Sequence, residues 1–382
     1  MKFIHLSDLH LGKRVNECSL LEDQQYILEQ ILQITEQERP DAVLIAGDVY
    51  DKTVPSTEAV ALLDDFLVRL SRQSTQVFLI SGNHDSPERT AFGGRLMEGS
   101  GVHFAPVYSG KVEPFTLYDS CGVVKIYLLP FLKPAHVRRF FPEEAIDSYT
   151  AALKAAIDAM EVDPGVRNVL ITHQFVTGAA RCDSEDISVG GSDNVSAEVF
   201  APFDYVALGH IHGPQQVGRE TVRYCGTPLK YSFSEARQQK SVTVVELGEK
   251  GCVAVRTVPL TPLRDMVELR GSYEELTYRG YYEGTNLQTD YVHITLTDED
   301  DIPDAAAKLR VIYRGLMKLD YDNKRTRAAG SAEELEAMEH RTPLEQMEAF
   351  YLLQNGQPMS EEQRGFIQVL MEEIGEDEPC GR

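Results

Sequence analysis

The chain has 382 residues, enough for two or three domains at about 150 residues each. Hydrophobic residues make up 42% and charged residues 25%, which excludes collagen-like, low-complexity and wholly disordered classes, and no apolar run approaches the roughly 20 residues of a membrane helix. Acidic residues outnumber basic ones 60 to 37, giving −23, so the chain would not collect polyanions by its field alone and action on nucleic acid would need divalent cations or a basic partner to offset that charge.

Met1 and Lys2 lead directly into the β-rich run FIHLSDLH, with no charged segment followed by an apolar one as in a signal peptide. A cytoplasmic location and no membrane association are the expectation. The six cysteines show no CxxC spacing, which points to reduced structural thiols and not to a zinc site or a disulfide framework. Apolar runs predict strands at Lys2–Leu6, Ala42–Ala46, Val77–Ile80, Val124–Leu129, Asn168–Ile171, Tyr205–Leu208 and Val242–Leu247. Between them, helical spacing covers Leu20–Thr35, Ser56–Leu70, Pro87–Met97 and Ser148–Met160. Strands alternating with helices argue for a layered α/β domain over residues 1–262, with near-continuous apolar strands buried on both faces.

After Pro262 the texture changes. Strand-like runs at Met266–Arg270 and Val292–Thr297 and a helical pattern from Pro303 to about Arg314 predict a small α+β domain over 263–325. Residues 326–382 read as a linker followed by two amphipathic helices, one carrying Leu344, Met347 and Tyr351 and the other Ile367, Leu370, Met371 and Ile374. Those apolar stripes must be covered, either by the same chain or by a partner's surface. The segment is also strongly acidic, with 13 Asp/Glu against 3 Arg in residues 331–382.

The chemistry lies at the strand ends. Asp8 and His10 follow the first predicted strand in SDLHLG, Asp48 and Asp51 the second in AGDVYD, and Asn83, His84 and Asp85 the third in SGNHD. His173 follows NVLIT, and His210 and His212 follow YVALG in GHIH. In layered α/β folds the carboxyl ends of strands form the ligand crevice, so the five groups would converge. Carboxylates, imidazoles and one amide without thiolate suit Mn²⁺, Fe²⁺ or Zn²⁺ better than Ca²⁺. Asp8, His10, Asp48, Asn83, His173, His210 and His212 are too many for one tetrahedral ion. They suit two ions about 3.5–4 Å apart sharing a carboxylate, a centre for hydrolysis at phosphorus. Lys13 and Arg14, beside the first motif, are candidates for contacts to a DNA backbone. His5, His103, His136, His293 and His340 fall off the strand-end pattern and stay outside the site.

In this order the five motifs resemble those of the calcineurin-like metallophosphoesterases, over roughly residues 1–245. Within that superfamily the chain is similar to the SbcD family of Mre-type nucleases, through DLHLGK at Asp8–Lys13, YCGTPLKYSFSE at Tyr224–Glu235, the small domain and the tail. The resemblance implies a layered two-sheet α/β/β/α fold with a small α+β cap and a C-terminal helical tail that binds a partner. It implies one metal on Asp8, His10, Asp48 and His212 and a second on Asp48, Asn83, His173 and His210, with Asp48 as the bridge. His84 would be the proton donor, and the Asp51 carboxylate would orient it. The implied activity is Mn²⁺-dependent hydrolysis of DNA, as a 3'-5' double-strand exonuclease and a single-strand or hairpin endonuclease in repair and recombination. The implied partner is an SbcC-like SMC-type ATPase, bound through the C-terminal helices in a two-plus-two assembly around an SbcD homodimer. The sequence has no GxxxxGK[ST] motif, so no nucleotide is expected on this chain. A stand-alone phosphatase or cyclic-nucleotide phosphodiesterase with the same two metals is the alternative, which the net acidity favours and the extra domain and tail disfavour. A non-enzymatic scaffold on the same fold ranks last, because every candidate ligand is present.

Overall fold

The computed structural model describes residues 1–105, 107–185, 194–324, 326, 344, 347–348, 351–352 and 358–367. Two six-stranded sheets dominate. The first runs Val253–Pro259, Ser241–Leu247, Lys2–Leu6, Ala42–Ala46, Gln76–Ile80, Val102–Phe104. Its last four strands are mutually parallel, whereas Ser241–Leu247 pairs antiparallel with both of its neighbours. The second runs Gln215–Val217, Arg219–Tyr224, Tyr205–Gly209, Arg167–His173, Gly122–Leu129, Phe115–Asp119, with four parallel central strands and an antiparallel strand at each edge.

Side-chain alternation sorts the strands into layers. Along Ala42–Ala46, Val43 and Ile45 join Ile27, Ile31, Phe66 and Leu70 from helices Leu21–Glu38 and Thr57–Arg72. Ala42, Leu44 and Ala46 turn the other way, toward Ile126, Val169, Ile171 and Ala207 of the second sheet. The outer face of that sheet, through Leu170, Val206 and Leu208, meets Ala152, Leu153 and Ala156 of helix Tyr149–Asp158. Both sheets are therefore buried on both faces in an α/β/β/α sandwich, the arrangement expected of continuous apolar strands. Each fully buried Leu, Ile or Val contributes about 1.5–3 kcal/mol, so these three clusters carry most of the fold's stability.

Pro87–Met97, one helical pattern in the sequence, forms two turns, Pro87–Thr90 and Gly94–Met97, because Gly93 between them adopts a left-handed φ of 76°. The chain groups into two compact units. One comprises Met1–Leu269, Thr277–Ile294 and Ala305–Leu319, and the other Arg270–Leu276, Thr295–Asp304 and the described part of Asp320–Arg382. Strands Met266–Gly271, Tyr291–Leu296 and Gly315–Tyr321 form a three-stranded sheet in that order, and Ala305–Ile312 is helical. Leu344, Met347 and Tyr351 are helical, as is Ile367. Leu370, Met371 and Ile374, and most of the expected linker, lie outside the described residues. No helix among the described residues is long and apolar enough to cross a membrane.

Candidate metal centre

All five motifs emerge at the carboxyl ends of parallel strands, three from the first sheet and two from the second. Stacking the sheets brings these ends together. The turns that carry the side chains are strained: Asp8, His10, Asp48 and His210 have φ of 53°, 44°, 46° and 102°. Positive φ in non-glycine residues costs of order 1–3 kcal/mol each and concentrates at functional sites. Glycines permit the close approach. A Cβ on Gly82 would lie 2.1 Å from Asp48 Oδ1, and one on Gly209 would lie 1.9 Å from the Ala46 carbonyl oxygen. The Gly before Asn83 and the Gly before His210 are thus steric requirements of the site.

The side chains converge on Asp48. His173 Nε2 lies 3.3 Å from Asp48 Oδ2, His10 Nε2 3.7 Å and His84 Nε2 4.0 Å. Asn83 Oδ1 is 3.0 Å from His173 Nε2 and 2.9 Å from His210 Nδ1. His10 Nε2 and His212 Nε2 stand 3.2 Å apart. Asp8 accepts the backbone N–H of His210 at 3.1 Å, and Asp48 Oδ1 that of His84 at 2.9 Å. Asp8, His10, Asp48, His173, His210 and His212 are all buried, while Asn83 and His84 are half-buried.

These contacts set lone pair against lone pair. The Ala46 carbonyl accepts from His173 Nδ1 at 2.8 Å, so in a neutral ring Nε2 carries no proton. That bare nitrogen faces two oxygens, Asn83 Oδ1 and Asp48 Oδ2. His10 Nδ1 is buried with no hydrogen-bond partner among the described residues. Convergent acceptors without donors are costly unless a cation sits among them. Three groups could each offer an ion ligand atoms within 4.8 Å of one another: Asp8 with His10 and His212, His10 with Asp48 and His84, and Asp8 with Asp48 and His173. They overlap through Asp8, His10 and Asp48, so the donor set fits divalent metal ions, and more than one of them.

Without metal, protons take the strain. Burial alone would lower the His173 pKa, but the Asp48 carboxylate outweighs it and raises it to about 9. His210 is driven down to about 3, first by burial and then by charge on His173. Burial also holds His10 well below its ordinary value and pushes the Asp8 carboxyl up. Burial would raise Asp48 too, yet His173 keeps it well below the carboxylate range.

Asp51 meets His84 through its backbone carbonyl, 3.1 Å from Nδ1. That contact does not depend on the side chain. The Asp51 carboxylate lies 2.8 Å from Lys13 Nζ and 3.8 Å from His10 Nδ1, so it is engaged away from the orienting role given to it from sequence. Lys13 is thereby tied to the site, and Arg14 is exposed, donating to the Glu17 carbonyl. Asp85, which the sequence places at the third strand end without a role, is buried and accepts the backbone N–H of Val49, Tyr50 and Gly82 at 3.1, 3.0 and 2.9 Å. It locks the GDVYD turn to the GNHD turn. Burial and the Asp48 charge raise its pKa to about 6. Sequence reasoning missed Ser184, Glu185 and Glu235, which contact His212; they come from segments without a ligand-type pattern.

The family model of the calcineurin-like phosphoesterases matches residues 1–214, and that of the type 5 capsule protein repressor C-terminal domain matches 262–355. The chain is 34% identical to the SbcD subunit of the SbcCD nuclease from Staphylococcus epidermidis, over 84% of its own length and 85% of that protein. It is 32% identical to the protein of that name from Staphylococcus saprophyticus, over 84% of each chain. A solved dimetal phosphatase from Danio rerio aligns with a TM-score of 0.42 at 11% identity, over 69% of this chain and 98% of that one. With its strand-end cluster and its matches to that family model and to the two staphylococcal proteins, the chain belongs to the calcineurin-like phosphoesterases, as a phosphodiester hydrolase of the SbcD family.

Proposed function

We propose that the chain is the nuclease subunit of an SbcC–SbcD-like complex that hydrolyses DNA phosphodiester bonds in the cytoplasm during repair and recombination. The reading covers 3'-5' double-strand exonuclease and single-strand or hairpin endonuclease action. The observation that carries it is the convergence of imidazoles and carboxylates on Asp48, in a chain whose relatives are named nucleases. Asp8, His10, Asp48 and His212 would hold one ion, Asp48, Asn83, His173 and His210 the other, with Mn²⁺ as the physiological metal. When bound, the ions supply Lewis acidity toward the phosphate oxygens and lower the pKa of water.

The chain's own groups do the rest. His84 is half-buried, its Nδ1 on the Asp51 carbonyl. The carbonyl holds the ring through Nδ1 and leaves Nε2, 4.0 Å from Asp48 Oδ2, as the atom that would act on the leaving oxygen. Lys13 and Arg14 would meet the DNA backbone.

For domains, 1–262 is read as the nuclease, 263–325 as a DNA-facing cap and 326–382 as linker and docking tail. An SbcC-like ATPase would cover the tail's apolar residues, of which Met347, Leu352 and Phe366 are 38%, 49% and 66% exposed. The homodimer would form through the surface near Val60, Val68, Phe92 and Leu96, the last two 83% and 87% exposed. Incubation of end-labelled linear and hairpin DNA with the purified chain and Mn²⁺ tests the reading, beside Asp48→Asn. Degradation by the wild type alone is expected. The net charge of −23 favours a small-substrate phosphodiesterase instead, and turnover of small phosphodiesters without DNA cleavage, even with the ATPase added, would select that reading.

A further inference from the structure

The segment YCGTPLKYSFSE supplies none of the candidate ligands, yet it wraps His212. Thr227 N donates to the His212 carbonyl at 3.1 Å, and a Cβ on Gly226 would lie 2.6 Å from that oxygen. Tyr231 sets its ring edge-on to His10 and His212, with centroids 5.6 and 6.1 Å away. The segment ends at Glu235, which is fully buried. Lys240, 4% exposed, bonds one Glu235 oxygen and also donates to the His212 carbonyl at 2.9 Å. A carboxylate paired with a buried ammonium only accepts. Its other oxygen accepts the Ser184 hydroxyl at 2.6 Å. With its proton committed to Glu235, Ser184 Oγ can only accept from His212 Nδ1, 2.7 Å away. His212 is then the Nδ1–H tautomer, and its Nε2 lone pair points at His10 Nε2, 3.2 Å away.

We propose that Ser184 and Glu235 are positioning residues that fix the tautomer and ring orientation of His212 for metal binding, and that this is what the YCGTPLKYSFSE segment does. The proposal rests on reading His212 as a ligand. Carboxylate-terminated relays of this kind raise ligand basicity, and their loss costs about 10–100-fold in metal affinity. Glu185 acts from the same loop, taking the His212 backbone N–H at 2.7 Å, so Ser184 and Glu185 hold His212 from two sides.

The test is Mn²⁺ titration calorimetry on the full chain, comparing wild type with Ser184→Ala, Ser184→Thr, Glu235→Gln and His212→Asn. Melting of the metal-free variants checks that each is folded. Ser184→Ala is expected to weaken one of two Mn²⁺ equivalents about 10–100-fold and leave the other unchanged. Glu235→Gln should weaken the same equivalent from the other end of the relay, and Ser184→Thr, which keeps the hydroxyl, should restore it. Nitrogen-15 spectra of the metal-free chain should show the His212 Nδ1–H in wild type and lose it in Ser184→Ala. If both relay variants bind two ions with wild-type affinity while His212→Asn loses one, the relay is overturned and His212 remains a ligand. If His212→Asn also binds normally, the ligand assignment fails and the proposal falls with it.

Discussion

Two buried imidazoles in the same sandwich meet opposite fates. In the strand interior, His5 is fully satisfied: Nδ1 takes the Tyr205 hydroxyl at 2.9 Å and Nε2 donates to the Leu208 carbonyl at 3.2 Å. One donor and one acceptor match one neutral ring, and burial holds its pKa down at about 3. In the cleft, His173 is just as buried, but one nitrogen faces only acceptors and Asp48 lifts its pKa to about 9. Burial does not distinguish a structural histidine from a candidate ligand; the sign of what faces its second nitrogen does.

Substitutions can break that comparison from either side. The largest effect is expected in the cleft. Asp48→Asn should reduce phosphodiester hydrolysis by more than about 10³-fold, removing the carboxylate on which three imidazoles converge; rates on a labelled duplex check this. Next comes acid sensitivity in the strand interior. Between pH 6.5 and about 3 the unfolded chain protonates His5 while the folded chain does not. Folding stability from this group is thus complete above pH 6.5 and lost as pH falls, by up to about 4 kcal/mol. Urea titrations of the metal-free protein across that range should show the slope, and His5→Gln should flatten it.

His84→Asn should lower turnover about 10²–10³-fold, the size of a lost proton donor, with Mn²⁺ affinity unchanged. A parallel loss of metal would make His84 a ligand. Mn²⁺ at about 100 times the dissociation constant of a site should stabilise the fold by about 2.7 kcal/mol per ion bound, and chelator should remove that gain. The melting temperature of His5→Gln should rise with metal as much as that of wild type, since the His5 ring bonds Tyr205 and Leu208 and none of the candidate ligands. The smallest effect is expected for Lys13→Ala, with DNA binding weakened and its logarithmic salt slope reduced by about one. An unchanged slope would leave Lys13 as no more than the partner of Asp51.

The strands flanking the cleft were legible because burial on both faces leaves a continuous apolar run, as in AVLIA at Ala42–Ala46. The seven candidate ligands and His84 were legible because each closes such a run, often behind a glycine that the packing demands. Edge strands were not. Phe115–Asp119 and Val253–Pro259 alternate between covered and exposed positions, so neither leaves a continuous apolar run. The break at Gly93 was hidden inside good helical spacing. Within the site, sequence order says which residue follows a strand but not which atom is presented. Asp51 turns its carbonyl to His84, and Ser184 and Glu235 reach His212 across 28 and 23 residues of chain by tertiary contact alone.

On the proposed reading, the strand-end cluster holds two divalent cations with Asp48 between them. Anomalous diffraction from crystals grown with Mn²⁺ tests it most directly. Two anomalous peaks flanking the Asp48 carboxylate, one near His10 and His212 and one near His173 and His210, are the expected result. A single peak, or none within coordination distance of Asp48, would contradict the account.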